Sequence, residues 1–301
     1  MSVARALPQR GLPLVGAWCF LDRFGPQVTT MRVEPHPHVG LQTVTWPLAG
    51  QVRHRDSTGS DVRVCRGTLN LMTSGAGIAH SEYSVLPSAV LDDPDAAETM
   101  LDALQFWVAL PETRRHGPAG FEQHADLPQV SLPAESPSAD TATATVVLGE
   151  FAGARSPATT HTPIVGAEIR IPARSRVQIP LNPDWEYAIV AVSGSTEVAA
   201  DPADPRTVTD LDLLYLGIHR ESVVVHAETE AVLFLLGGAP FGEEIVMWWN
   251  FVTRSHDEIV EARTDWEATA ARFGQVVGHG SERIPAPPLP TVRLTRRRRR
   301  L

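Results

Sequence analysis

The chain has 301 residues, with 26 Lys+Arg against 35 Asp+Glu and a formal net charge of −9, a balance that argues against a general nucleic-acid binder. Its 43% hydrophobic and 20% charged residues fit a globular protein and exclude wholesale disorder. No apolar run approaches the roughly 20 residues of a membrane helix. The N-terminus shows no export-signal pattern, and Cys19 and Cys65 are too few for a zinc knuckle or a disulfide framework, so a cytoplasmic protein with reduced thiols is expected.

Along the chain, 25 Pro and 22 Gly punctuate short runs rich in Val, Leu, Ile and Thr: Leu41–Trp46, Val62–Cys65, Thr145–Leu148, Ala188–Val192 and Glu230–Leu236. This rhythm predicts an all-β sandwich or barrel. The stretch Ser131–Thr145 is poor in large apolar residues and reads as a linker or long surface loop. It divides the chain into an N-terminal barrel at 1–130, a linker at 131–145, a second barrel at 146–253 and a terminal helix with a basic tail at 254–301.

The two halves share weak similarity. Trp46-Pro-Leu-Ala-Gly50 is echoed by Val190-Ala-Val-Ser-Gly194, and Leu69–Gly75 by Leu211–Gly217, in the same order; a duplicated barrel follows. Near the end, Ser255-His-Asp-Glu258 has capping-box spacing. Ile259, Ala262, Trp266, Ala270 and Phe273 then form an apolar helical stripe, with Gly274 as its expected stop. Trp248, Trp249 and Phe251 are expected to pack, and Cys65 to be a small core residue.

The chemistry concentrates in the first half. His36-Pro-His38 and His80-Ser-Glu82 are both i, i+2 pairs, whose side chains leave the same face of a strand. On neighbouring strands they would bring three imidazoles and one carboxylate to one point. Such a set suits Fe, Mn, Ni, Cu or Zn better than Ca or Mg. His54-Arg-Asp-Ser-Thr-Gly59 reads as a hairpin turn, with Asp56 capping backbone N–H groups and Gly59 at positive φ. No nucleophile elbow, P-loop or dinucleotide fingerprint is present.

The runs His36–Trp46, His54–Gly59 and Leu71–Glu82, flanked by Phe20–Pro26 and Leu104–Pro111, resemble the pirin family of bicupins. Gly194, Gly217 and Leu235–Pro240 resemble it more loosely. The resemblance implies two tandem cupin barrels and one mononuclear metal, usually iron, held by His36, His38, His80 and Glu82. It also implies one of two activities: dioxygenolytic opening of flavonols such as quercetin, or metal-dependent regulation through a protein partner. Val39-Gly-Leu-Gln42 stands where family members often carry Arg-Gly-Phe-Glu. Gln42 therefore supplies no second acid, and with Val39 an arginine docking contact is absent.

The expected mechanism uses Fe(II) on the three neutral histidines and Glu82, with a small phenolic substrate nearby and Glu82 as its proton acceptor. The alternative is a non-enzymatic, metal-dependent regulatory or partner-binding protein. His219-Arg-Glu221 and His226-Ala-Glu228 repeat the H-x-E spacing in the second half. The region aligned with H-x-H there reads Asn182–Tyr187, so a degenerate barrel is expected. Arg296–Arg300 form a basic block, read as a solvated tail and as the one place nucleic acid could touch.

Overall fold

The structure, a computed structural model, describes residues 2–85, 99–135, 141–201, 204–209 and 211–297. The chain forms two compact units. One holds the residues up to Arg5, Phe20–Ala125 and everything from Gly242 onward; the other holds Ala6–Cys19 and Asp126–Phe241.

The first unit is built from β1 (Val3–Leu7) up to Arg5, β2 (Trp18–Thr29) from Phe20 on, β3 (Arg32–His38), β4 (Leu41–Ala49), β5 (Gln51–Asp56), β6 (Asp61–Cys65), β7 (Leu69–Thr73), β8 (Ile78–Ser84), β9 (Thr99–Ala109) and β10 (Gly120–His124). One sheet runs β1-β2-β9-β4-β7-β10 and a second runs β3-β8-β5-β6. Phe24, Leu101 and Ala103 of the first sheet share an apolar cluster with Val52 and Val64 of the second. The two sheets therefore bury one another's inner faces, as a cupin barrel requires.

The second unit contains β11 (Gln129–Leu132), β12 (Ala134–Glu135), β13 (Ala142–Phe151), β14 (Ala154–Arg155), β15 (Ile164–Ile171), β16 (Ser175–Pro180), β17 (Glu186–Ser193), β18 (Thr196–Ala199), β19 (Arg206–Val208), β20 (Leu213–Gly217), β21 (Ser222–Ala227) and β22 (Ala231–Gly238). Its sheets run β11-β13-β15-β22-β17-β20 and β12-β16-β21-β18-β19. Alternate residues, such as Val165, Ala167, Ile169 and Ile171, fill the interior with aliphatic side chains, the period-2 pattern of a packed barrel. Trp18 closes the unit, its indole N–H shared between the carbonyls of Val165 and Gly237 at 3.1 Å each.

The topology bears out the duplication. β4 lies between β9 and β7, as β17 lies between β22 and β20, and β3-β8-β5-β6 corresponds to β16-β21-β18-β19. Gly50 and Gly194, matched in sequence, both take a left-handed conformation just past β4 and β17, at φ 79° and 75°. That conformation favours glycine because it lacks a Cβ.

Three local expectations are corrected. Within the stretch expected as a linker, β11 pairs with β13 and β12 with β16; residues 136–140 of it lie outside the described residues. The alternation Val130, Leu132 and the pairing edge of β13 supply strand structure despite the small side chains around them. Second, the terminal helix α1 (His256–Glu267) ends before Gly274. Ala270 N–H bonds to the Asp265 carbonyl and Thr269 N–H to Trp266, with Thr269 at φ 54°. This is a Schellman stop with threonine in the left-handed position. Phe273 rejoins the stripe through a 3-10 turn, Ala271–Phe273, and Gly274 closes that turn. Third, Cys65 is half-buried, whereas Cys19 is buried; both are free thiols.

The terminal segment belongs to the first unit. There β23 (Val246–Trp248), β24 (Phe251–Thr253) and the α1 residues Ile259, Ala262 and Trp266 pack on Val39 and Ala79, two residues beside the ligand-bearing ends of β3 and β8. Val39 is thus an anchor for the chain's own terminus. Ser255 caps α1, its Oγ accepting from Glu258 N–H at 3.2 Å. Ser255→Ala is expected to lower stability by about 1 kcal/mol, checked by urea unfolding. The basic tail begins tied down: Arg296 pairs with Glu244 at 3.2 Å, and Arg297 N–H bonds to the Ile245 carbonyl. Residues 298–301 of the tail lie outside the described residues. No described helix is long and apolar enough to cross a membrane.

Candidate metal centre

β3 and β8 pair antiparallel with His36 opposite His80 and His38 opposite Ile78. The register slips by one residue between Val33 and His36, a β-bulge at Glu34-Pro35. The bulge switches the face presented by the strand. Val33 therefore lines the same cavity as the histidines, while Glu34 points away to Tyr83 and His279. It also frees the Glu34 carbonyl, which receives a hydrogen bond from His36 Nδ1 at 2.9 Å. A carbonyl only accepts, so the proton sits on Nδ1 and His36 Nε2 keeps its lone pair.

The ligand atoms of His36, His38 and His80 all lie within 4.8 Å of one another. His38 Nε2 and His80 Nε2 are 3.1 Å apart, a separation that two donors at about 2.1 Å from one first-row ion can share. All three rings are buried. Burial lowers the pKa of His36 to about 4, opposed by its bond to the Glu34 carbonyl and aided by the nearby His54. Burial and the neighbouring imidazoles hold His38 and His80 well below the usual histidine range. At neutral pH these imidazoles are uncharged, the form a metal needs. His38 Nδ1 is buried without a hydrogen bond of normal geometry, with the backbone of Asn250 the group that faces it. The donor set fits a divalent first-row ion.

Glu82 lines the same cavity, and burial raises its carboxyl pKa. The set of potential ligand atoms in which Glu82 takes part, again within 4.8 Å, includes His80 and His54. The pattern His54–Gly59 predicts a hairpin turn. The turn is present: Asp56 Oδ1 accepts from Thr58 N–H at 2.8 Å and Ser60 N–H at 3.2 Å, and Gly59 has φ 101°. But β5 alternates, burying Val52, His54 and Asp56. The i, i+2 rule applied to His36 and His80 would have turned His54 inward as well.

The cavity has a volume of about 180 Å³. Phe20 and Trp107 stack at 4.0 Å on one wall, Trp107 meets His38 edge-on at 5.3 Å, and Phe24, Met31 and Val33 add apolar surface. Gln105, Asn250 and Asp22 are the other polar groups lining it. Asp22 is held by Arg5 through two hydrogen bonds of 2.7 and 2.8 Å. Gln42 faces away, donating to Thr73 Oγ1 at 2.9 Å.

The second barrel carries no such centre among the described residues. The inward positions of the corresponding strands are aliphatic: Val177 and Ile179 on β16 lie opposite Val225 and Val223 on β21, all in the core. This corrects the sequence alignment, which placed the counterparts of the ligand positions at Asn182–Tyr187 and His219–Glu221. His219 lies beyond β20 at φ 63°, and His226 faces outward, opposite Arg176 and Glu197.

Two cupin barrels, of which the first gathers three neutral imidazoles beside a buried carboxyl group and the second is filled with aliphatic side chains, define a bicupin whose candidate histidine centre lies in the first barrel. The sequence matches the family description Pirin over residues 1–108 and Pirin C-terminal cupin domain over residues 166–274. A Pseudomonas aeruginosa protein carrying the name "Putative quercetin 2,3-dioxygenase" is 38% identical over 96% of this chain and 86% of its own length. A Caulobacter vibrioides pirin-like protein is 31% identical over 95% and 94%. The crystal structure of a quercetin 2,3-dioxygenase from Acinetobacter baumannii superposes with a TM-score of 0.85, at 35% identity, over 97% of this chain and 92% of that one. The chain belongs to the pirin family.

Proposed function

We propose that this pirin is a metal-dependent dioxygenase of the cytoplasm, most readily using Fe(II), that acts on flavonol-like phenolic substrates. The observation that carries the reading is the set of three uncharged imidazoles at an aromatic-walled cavity, with a carboxyl group of raised proton affinity beside them. The names of its Pseudomonas and Acinetobacter relatives support the substrate class.

His36, His38 and His80, with Glu82, would hold the ion. When bound, such an ion acidifies a phenolic or enolic hydroxyl and makes the resulting anion reactive toward O2. The remaining tasks fall to the chain. The stacked Phe20–Trp107 pair offers an aromatic face to a substrate ring. Glu82 takes the hydroxyl proton, a role suited to a carboxyl group whose proton affinity burial has raised. Phe24, Met31 and Val33 keep bulk water from the reacting edge, and Gln105 and Asn250 supply polar contacts to further hydroxyls.

Anaerobic reconstitution with Fe(II), followed by oxygen uptake with a panel of flavonols, tests this. Uptake matched to flavonol loss is expected, falling at least ~100-fold in Glu82→Gln, at the lower end of what a positioned acid or base contributes. Uptake no faster than with free iron would end the enzymatic reading. The cavity volume favours a second reading, since about 180 Å³ lies below the roughly 300–1,000 Å³ of sites that enclose a drug-sized ligand. In that reading the same four ligands hold a metal in a regulatory or partner-binding protein. Tight metal binding without oxygen uptake would support it.

A further inference from the structure

We propose that His54 and Asp56 form a positioning relay that fixes the tautomer of His80 and thereby sets the metal affinity of the centre. The inference rests on the metal-binding reading above. β5 pairs with β8 so that His54 lies opposite Glu82 and Asp56 opposite His80. His54 and Asp56 are 3% and 2% exposed, so their polar atoms depend on protein partners rather than water. The His54 ring stacks on Phe121 at 4.5 Å, and its centre lies 5.1 Å from that of His80.

The proton positions follow in sequence. Asp56 already receives Thr58 N–H, Thr58 O–H and Ser60 N–H on Oδ1. Burial opposes its ionisation, but these bonds and that of His54 outweigh burial and bring its pKa to about 2. As a carboxylate it only accepts, so His54 Nε2, 3.1 Å from Asp56 Oδ2, carries a proton. In its neutral form His54 then has a lone pair on Nδ1. His80 Nδ1 stands 3.4 Å from that atom and must supply the hydrogen between them. The lone pair of His80 is thereby left on Nε2, the atom 3.1 Å from His38 Nε2. Carboxylate, imidazole and ligand imidazole form one chain, an extension by one ring of the carboxylate–histidine–metal arrangement. Both His54 nitrogens are committed within it, so His54 is a positioning residue and not a ligand, although it lies within ligand reach of Glu82.

The test uses the full chain loaded with Co(II). Affinity is read by chelator competition, and the exchangeable N–H resonances of the ligand imidazoles are read by hyperfine-shifted proton NMR. His54→Phe, which keeps the stack on Phe121, is expected to weaken Co(II) binding 10–100-fold and to shift or broaden one N–H resonance while the others stay. His54→Gln, whose Oε1 can accept from His80 Nδ1, should restore that resonance and most of the affinity. Should His54→Phe fail to fold, Asp56→Asn provides the same reading, because asparagine keeps the turn acceptor but can present a donor to His54. Wild-type affinity and an unchanged spectrum in these variants would overturn the relay and leave the metal centre standing. A Co(II) spectrum that shows one fewer coordinated imidazole in His54→Phe than in wild type would make His54 a ligand and also overturn it. Absence of Co(II) uptake by the wild-type chain would remove both the relay and the reading beneath it.

Discussion

Replacing His80 by alanine is expected to reduce metal affinity by more than ~100-fold, beyond the range that follows loss of an outer-shell partner. His80 is the hub of the centre. Its ring lies 4.3 Å from that of His36, 5.0 Å from His38 and 5.1 Å from His54, and its Nε2 faces His38 Nε2. It belongs to both ligand sets that the first barrel gathers around these rings, so its removal dismantles each at once. His38 loses its nearest nitrogen partner, and His54 loses the donor to its Nδ1. His226→Ala serves as the matched control: it also lies on a strand, at the corresponding sheet of the second barrel, but faces outward. Elemental analysis after reconstitution, with chelator competition for the affinity, checks the outcome. Equal metal content in His80→Ala and wild type would show that these imidazoles are not ligands. Melting curves of the metal-free proteins separate this from unfolding, since the alanine also leaves a cavity in a buried site.

The part of this centre that was legible in sequence is the part governed by the two-residue period of a strand. The convergence of His36, His38 and His80 within 4.8 Å needed only that period and adjacency of their strands, which the antiparallel pairing of β3 and β8 supplies; Glu82 lines the same cavity but groups with His80 and His54. Four features were not legible. The bulge at Glu34-Pro35 leaves no mark in a hydrophobicity pattern, yet it decides that Val33 and not Glu34 enters the cavity. His54 and Asp56 were absorbed by a turn signal that is itself correct; Asp56 serves the turn with Oδ1 and His54 with Oδ2. In the second barrel the glycine matches located the sheet carrying β17 and β20. They could not register the facing sheet, because aliphatic residues such as Val177 and Val225 carry no ligand signature to align. The assignment of Ala6–Cys19 to the second unit depends on contacts distant in sequence. Trp18 donates to Val165 and Gly237, and Gly16 N–H binds buried Glu186 at 2.7 Å. No local pattern announces such contacts.

Metal-free protein is expected to lose stability steeply as pH falls from about 6.5 toward 4. Burial holds His36 to a pKa of about 4 and His38 and His80 well below 6.5, whereas imidazoles in an unfolded chain titrate near 6.5. Across that window the unfolded chain binds protons that the folded chain refuses. Stability therefore rises with pH, is fully present above the unfolded value, and drains away on acidification. Glu82 acts in the opposite direction. Its raised pKa lets the folded chain keep a proton that the unfolded chain releases, so its contribution is present at low pH and lost as pH rises. Three imidazoles against one carboxyl group leave acid as the destabilising side, with a slope of roughly 3 kcal/mol per pH unit at most. Asp56, lowered to about 2, adds its own loss only below this window. Urea unfolding at a series of pH values, with chelator present, measures the slope. A flat profile, or greater stability at pH 5 than at pH 7, would contradict the buried neutral cluster. A bound divalent ion competes with the same protons, so in metal-loaded protein the fall should move to lower pH and coincide with metal release. His36→Ala should flatten the metal-free profile, because one of the groups that refuses a proton is gone.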